Sequence, residues 1–432
     1  MNARQVSLEV LSNVLKNKSY LNLELKQALR NDFSIEDKRF ITALVSTTIE
    51  NLYRIDYVLN QFITAKRVHT VIRNILRIGA CQLLFFESVP VSAAVNESVK
   101  LVEKVGKRQL KGFVNATLRN LSDHLGKISY PDAKEDLAEF LHVFYSYPKW
   151  LCEKYLADYG EAQTEEMLSY AGDNAMTCVR INSFLQGADI TGFVHGKYCE
   201  DAFYIKNASN IQKNLDFAQG KITVQGEASM ICVRAAGIKR TDCVLDTCAA
   251  PGGKSAYAAQ FASEGSVTAL DIHEHRTELI KNTFERLHIK NASVAVADAT
   301  KPIDEYEQKF DVVLIDAPCS ALGLLYRKPD IKIFKNEEDL EELVQIQRAL
   351  LEVCSSYVKK GGILLYSTCT INKQENDENI DAFLTNHKEF VGDSIKEYLP
   401  DGLQCRANND RIQLFAHIDG IDGFFMARLK RI

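Results

Sequence analysis

The chain has 432 residues, 46% hydrophobic and 25% charged, an ordinary globular balance that leaves room for roughly two to four domains. Its net charge of −5 does not advertise a nucleic-acid binder, yet residues 1–140 carry 20 Lys and Arg against 15 Asp and Glu, while the remainder carries 32 against 42; a mildly basic front on an acidic body is compatible with a local nucleic-acid surface. No run approaches the ~18 apolar residues of a membrane span, and Met1–Glu9 carries charge where a signal peptide needs an apolar stretch, so a cytoplasmic location is expected.

Residues 1–125 read as all helical. Val6, Val10, Leu11, Val14 and Leu15 recur at helical spacing, as do Phe40, Ile41, Leu44, Val45, Ile49 and Leu52. Ser34-Ile35-Glu36-Asp37 reads as a capping box before the second stripe. Further helical stretches lie around Val71–Phe86 and Val95–Val105, followed by one ending near Leu121. Gly126 and Pro131 break the pattern, so 126–144 is taken as a linker. Residues 145–225 read as a small α+β connector, with a strand at Thr177–Asn182. From 226 to 432 β-rich runs alternate with helical stretches, the pattern of a parallel sheet wrapped by helices. The runs are Cys243–Asp246, Val267–Asp271, Val294–Asp298, Asp311–Asp316 and Gly362–Tyr366. Four of them finish at an aspartate, and ligands in such sheets bind beyond the carboxyl ends of the strands.

The loop Cys248-Ala249-Ala250-Pro251-Gly252-Gly253-Lys254 joins a strand to a helix, and its glycines allow a ligand close to the backbone. It lacks the first glycine of a phosphate-binding P-loop, because Cys248 stands there, and it lacks the dinucleotide Gly-x-Gly-x-x-Gly spacing. A nucleoside-type cofactor without phosphates fits better. Asp271 is placed to accept from a ribose diol, and Asp298 to reach an adenine edge; taken singly, either aspartate could equally be a helix cap. Eleven cysteines occur without one Cys-x-x-Cys pair, which argues against zinc or disulfides and predicts mostly reduced core thiols. Two of them differ in placement: Cys319 follows the strand ending at Asp316, within Asp316-Ala317-Pro318-Cys319-Ser320, and Cys369 follows another in Ser367-Thr368-Cys369. Two cysteines at carboxyl strand ends, facing one crevice, are hard to explain as packing alone.

These three motifs, in this order, resemble the signatures of RNA cytosine-5 methyltransferases. Asp37-Lys38-Arg39-Phe40, Leu76-Arg77-Ile78-Gly79, Val95-Asn96-Glu97-Ser98-Val99 and Phe113–Asn120 are similar to a NusB-type RNA-binding domain. Together they resemble the bacterial Sun/Fmu (RsmB) family, which modifies small-subunit ribosomal RNA. The likeness extends to Tyr147–Leu151, Val179–Asn182 and Asp422–Phe425. It implies an all-α NusB-like bundle over 1–125, the connector, and a Rossmann-like methyltransferase domain over 226–432. It implies S-adenosylmethionine as cofactor, held by Cys248, Ala249, Ala250, Pro251, Gly252, Gly253, Lys254, Asp271, Arg276, Asp298 and Asp316, with no metal. It also implies ribosomal RNA as partner, with no membrane and no required oligomer. The chain departs from the family at Ser320-Ala321-Leu322-Gly323, where Ser-Gly-Thr-Gly is usual, and at Ile333, where tryptophan is usual.

By the same resemblance Cys369 is the nucleophile that adds to carbon 6 of cytosine, and Cys319 helps remove the carbon 5 proton. Asp316 hydrogen-bonds the N3 and amino edge, and Lys254 orients it or lowers a cysteine pKa. The target base must be unpaired or flipped out. Arg4, Arg73 and Arg77 are candidate RNA contacts, with solvated helix faces as the alternative. Competing readings are a transfer-RNA enzyme and a non-catalytic ribosome assembly factor. A zinc deaminase is set aside because its Pro-Cys element precedes His387-Lys388-Glu389 and lacks a second cysteine; a dehydrogenase lacks its glycine fingerprint.

Overall fold

Apolar stripes at helical spacing must be covered, and in the computed structural model, which describes residues 2–30, 32–172, 176–206 and 208–432, they cover one another. By contacts the chain divides into two compact units: Met1–Ser169 with Lys328–Phe334, and Tyr170–Arg327 with Lys335–Ile432.

The first unit comprises α1 (Ala3–Asn17), α2 (Leu21–Ala28), α3 (Ile35–Glu50), α4 (Leu52–Phe62), α5 (Thr70–Phe85), α6 (Val91–Lys104), α7 (Lys111–Asp123), α8 (Leu137–Phe144) and α9 (Lys149–Ser169), the last kinked at Gly160. Val10, Leu11 and Val14 of α1 and Ile41, Leu44, Val45 and Ile49 of α3 are buried in one core with α5 to α7. Ser34 Oγ accepts from Asp37 N at 3.0 Å, the serine half of the expected capping box. The stretch expected to be a linker holds α8. Its Phe140 and Phe144 rings stack at 5.1 Å, and the Arg54 guanidinium lies 4.9 Å from the Phe144 centroid. An apolar i, i+3, i+4, i+7 set (Leu137, Phe140, Leu141, Phe144) explains why this stretch folds onto the helices.

Residues 328–334 are far away in sequence but belong to this unit. Tyr20, before α2, offers no capping side chain, and Asp330 supplies one from 309 residues away, its Oδ2 accepting from Leu21 N at 3.2 Å. Lys332 Nζ donates to Glu50 O at the carboxyl end of α3 (2.8 Å) and sits 4.1 Å from the Tyr147 ring centroid. A carboxylate at a helix start and an ammonium at a helix end both suit the helix dipole. Ile333 and Phe334 pack against the helical core, so the change from tryptophan at 333 is a packing change within this unit.

The second unit begins with an antiparallel sheet, β1 (Met176–Ile181), β2 (Val194–His195), β3 (Ala202–Lys206) and β4 (Ile222–Val224), in the order β2-β3-β1-β4. The short α10 (Leu215–Ala218) precedes β4, and α11 (Glu227–Ala235) follows it. Then come β5 (Cys243–Asp246), α12 (Gly253–Phe261), β6 (Ser266–Asp271), α13 (Glu274–Arg286), β7 (Ala292–Val296) and β8 (Phe310–Asp316). After the α14 turn (Ile331–Phe334) of the first unit come α15 (Glu337–Ser355), β9 (Val358–Thr368), α16 (Asp377–Asn386) and β10 (Phe390–Gly392). The chain closes with α17 (Asp401–Gln404), β11 (Arg411–Leu414), α18 (Ala416–Asp419) and β12 (Phe424–Arg431).

The large sheet runs β10-β12-β9-β8-β5-β6-β7, with β11 on β12. The five strands from β9 to β7 are parallel as expected, but β12 lies antiparallel beside β9, with β10 and β11 antiparallel to it. The sheet is therefore mixed: the five runs read as a parallel sheet are parallel, and the antiparallel β10, β11 and β12 extend it at one edge. Successive side chains enter opposite faces: Val312 and Leu314 pack with α11 to α13, Val313 and Ile315 with α15 and α16.

Candidate active site

The cysteine-containing loop after β5 is tied down by its own backbone. Thr247 N donates to Leu314 O and Ala249 N to Leu270 O (3.0 and 2.8 Å), anchoring it to β8 and β6. Gly252 has φ 95°, the left-handed region where a side chain is strained, and a Cβ there would also meet Ile280 Cα at 3.2 Å. It precedes α12 with no side-chain cap among the described residues, which leaves the first amides of α12 available as donors to a ligand. Ala249 is buried, the Ala250–Pro251 peptide is cis, and burial pushes the partly exposed Cys248 thiol upward. Asp246, at the end of β5, is structural: Ser255 Oγ donates to its Oδ2 at 2.5 Å, its Oδ1 has no partner among the described residues, and burial raises its pKa to about 6.

Asp271 ends β6, 3% exposed. Its Oδ1 accepts from His273 N at 3.1 Å, and Arg276 Nε lies 3.5 Å from Oδ2, longer than a good hydrogen bond. The carboxylate thus retains acceptor capacity for a diol. Asp298 does not end a strand, because β7 stops at Val296. Its Oδ1 accepts from Thr300 N and Oγ1 (3.1 and 2.6 Å), Lys301 Nζ lies 3.1 Å from Oδ2, and the Thr300 hydroxyl chiefly holds its pKa down. These bonds close a turn over 298–301, with no helix starting there, so Asp298 neither ends a strand nor caps a helix. An uncapped helix start, a close-approach glycine and an acid with spare acceptors together fit a nucleoside cofactor such as S-adenosylmethionine.

Four of the expected residues form two pairs. Cys319 Sγ and Cys369 Sγ lie 3.1 Å apart, brought together by parallel pairing that sets Asp316 opposite Ser367. Lys254 Nζ donates to Asp316 Oδ2 at 2.7 Å. Burial works to lower the Lys254 pKa, but Asp316, helped by Cys232, outweighs it and holds the ammonium charged. The Cys319 thiol is pushed well up by its hydrogen bond with Cys369, by burial and by Glu375, so Cys319 keeps its proton.

Sequence reasoning missed three participants. Ser367 Oγ donates to Asp316 Oδ1 at 2.9 Å; it lies within the Ser367-Thr368-Cys369 motif, near the end of β9, a signal that was available. Gln347 and Glu375 bind the Cys319 loop from α15 and from the segment before α16, with no motif to mark them. Of the three candidate RNA-binding arginines, Arg73 and Arg77 converge on Asp56, Arg77 doubly through Nε at 2.9 Å and Nη2 at 2.6 Å. Arg4 donates to Gln82 Oε1 and lies over Phe40. All three are held within the helical unit rather than standing as solvated faces. Among the described residues no cluster of three His, Cys, Asp or Glu could hold a metal, and no helix is long and apolar enough to cross a membrane.

Comparison with known proteins agrees with this geometry. A family model described as 16S rRNA methyltransferase RsmB/F matches residues 235–430, and one described as NusB family matches 1–123. The chain is 34% identical to the probable ribosomal RNA small subunit methyltransferase B of Bacillus subtilis (strain 168), over 99% of this chain and 98% of that protein. It is 28% identical to ribosomal RNA small subunit methyltransferase B of Cronobacter sakazakii over the same shares. In fold it is similar to the crystal structure of PH0851 (TM-score 0.82, 24% identity, 100% of this chain and 99% of that one). NSun6 from Pyrococcus horikoshii with SFG matches less completely (TM-score 0.58, 19% identity, 67% and 99%). The chain belongs to the ribosomal RNA small subunit methyltransferase B family.

Proposed function

We propose that this protein transfers a methyl group from S-adenosylmethionine to carbon 5 of a cytosine in small-subunit ribosomal RNA, with Cys369 as covalent nucleophile. The observation that carries the reading is the 3.1 Å approach of two sulfurs beyond the carboxyl ends of adjacent parallel strands, at the same edge as the Lys254–Asp316 pair. Residues 248–254 and Asp271 hold the cofactor, whose sulfonium supplies an electrophilic methyl group. Cys369, its proton passed to solvent water, attacks as the thiolate. That thiolate adds to carbon 6 of the ring as N3 takes up a proton from solvent water, and Asp316, oriented by Lys254 and Ser367, accepts from the N3–H and amino edge. Carbon 5, now nucleophilic, takes the methyl group. Cys319, its proton given up to solvent water, then takes the carbon 5 proton; the electrons of that C–H bond re-form the C5=C6 double bond as Cys369 leaves as the thiolate and N3 returns its proton to water.

The NusB-like domain, residues 1–125, and the connector, residues 145–225, supply the RNA grip, the target being an unpaired or flipped-out cytosine, and a ribosomal substrate fits a cytoplasmic location. The test is transfer of labelled methyl from S-adenosylmethionine to unmodified small-subunit rRNA, with bisulfite sequencing to locate the product. One converted cytosine with wild type and none with Cys369→Ala supports the reading; labelling of transfer RNA alone contradicts the substrate.

A further inference from the structure

Both cysteine loops hang on one buried acid. Glu375 is 0% exposed, and its carboxylate accepts four hydrogen bonds: from Asn372 Nδ2 (3.0 Å) and Ser320 Oγ (2.5 Å) at Oε1, and from Ser320 N (2.9 Å) and Gln347 Nε2 (2.9 Å) at Oε2. All four donors are neutral. Gln347 also holds Pro318 O at 2.9 Å, so the residues on both sides of Cys319 are gripped by one linked pair. Ser320 Oγ lies 2.7 Å from Thr370 Oγ1, which extends the grip to the residue after Cys369. A buried carboxylate is costly unless fully hydrogen-bonded, and a neutral amide would turn an NH₂ group toward one of these donors. An acceptor-only group suits four converging donors.

We infer that Glu375 is a positioning residue for methyl transfer, setting the Cys319 and Cys369 sulfurs in register with adjacent carbons of one ring. This rests on the covalent reading above. Both sulfurs act in sequence, Cys369 on carbon 6 and Cys319 on the proton at carbon 5, so a relative slip of the two loops impairs resolution of the adduct more than its formation. The cofactor loop, residues 248–254, makes no hydrogen bond to this network among the described residues.

The test compares Glu375→Gln and the milder Ser320→Ala with wild type, Cys319→Ala and Cys369→Ala on unmodified small-subunit rRNA. It reads turnover, S-adenosylmethionine binding and the fraction of protein in a detergent-resistant RNA adduct. Glu375→Gln is expected to lose about 100-fold in turnover, the effect of a misplaced reacting group, while accumulating adduct as Cys319→Ala does and binding the cofactor normally. Ser320→Ala moves the same way by about tenfold, the worth of a hydrogen bond. Turnover without adduct accumulation in Glu375→Gln overturns the inference. So does a loss of activity that merely tracks a loss of cofactor binding. If Cys369→Ala stays active, the covalent reading itself has failed and the inference falls with it; an inactive Cys369→Ala beside an adduct-free Glu375→Gln condemns the inference alone.

Discussion

Lys254 Nζ and Asp316 Oδ2, 62 residues apart, meet at 2.7 Å, joining the first turn of α12 to the end of β8. The pair couples the cofactor loop to the strand end that leads to Cys319. Asp316→Asn is expected to retain cofactor binding and lose about 100-fold or more in methyl transfer, since it removes a charged group that meets the ring as charge develops. Lys254→Met is expected to lose methyl transfer to a similar extent and to bind the cofactor more weakly as well. Parallel measurement of cofactor affinity and single-turnover methyl transfer checks this; equal losses in both would point to a loop defect.

Ala321 occupies the left-handed region, φ 57° and ψ 27°, at a position where the related family usually has glycine. A side chain there costs roughly 1–2 kcal/mol, partly offset because alanine restricts the unfolded chain. Ala321→Gly is therefore expected to stabilise the protein slightly, by about 0.5 kcal/mol, whereas Ala321→Val should destabilise it. Denaturant midpoints of the two variants against wild type decide the point.

Arg77, with both Nε and Nη2 on Asp56, acts inside the helical unit. Its side chain is 16% exposed and that of Asp56 24%, so solvent screening is moderate. Arg77→Ala is expected to cost roughly 2 kcal/mol of stability and to leave the salt dependence of RNA binding unchanged. Thermal unfolding and filter binding across a salt series separate these effects; a shallower salt slope would make Arg77 a phosphate contact.

Lys332 is buried, and burial lowers its pKa from 10.5 to about 7, against the attraction of Glu50 and Cys152. With the folded value below the unfolded one, the unfolded chain binds the proton more tightly between these limits, so this lysine's contribution to stability rises as pH climbs from 7 to 10.5. The stability difference between wild type and Lys332→Met should shift in favour of wild type over that window. Urea unfolding of both proteins at the two ends of the range measures it; a pH-independent difference would contradict the assignment.

Legibility in the sequence followed the range of the interactions. Stripes such as Ile41, Leu44, Val45 and Ile49, and strands ending at Asp246, Asp271 and Asp316, are local patterns and lie where periodicity put them. Asp298 was misplaced by two residues because Ala297-Asp298 continues the apolar run after pairing with β6 has ended. Asp330 and Lys332 follow the Cys319 motif in sequence with nothing local to mark them; only Leu21 and Glu50, about 300 residues away, reveal their capping role. Glu375 sits in Asn372-Lys373-Gln374-Glu375-Asn376-Asp377-Glu378, which looks like a solvated turn, and nothing local signals that three of its four hydrogen bonds arrive from α15 and the Cys319 loop.

The most direct test of the central claim is the fate of Cys319→Ala on its RNA. The account predicts that, given S-adenosylmethionine, this variant methylates its cytosine once and remains attached, so that a detergent-resistant complex linked through Cys369 accumulates and disappears in Cys319→Ala/Cys369→Ala. Release of methylated RNA by Cys319→Ala at the wild-type rate, or a complex that survives loss of Cys369, would contradict it.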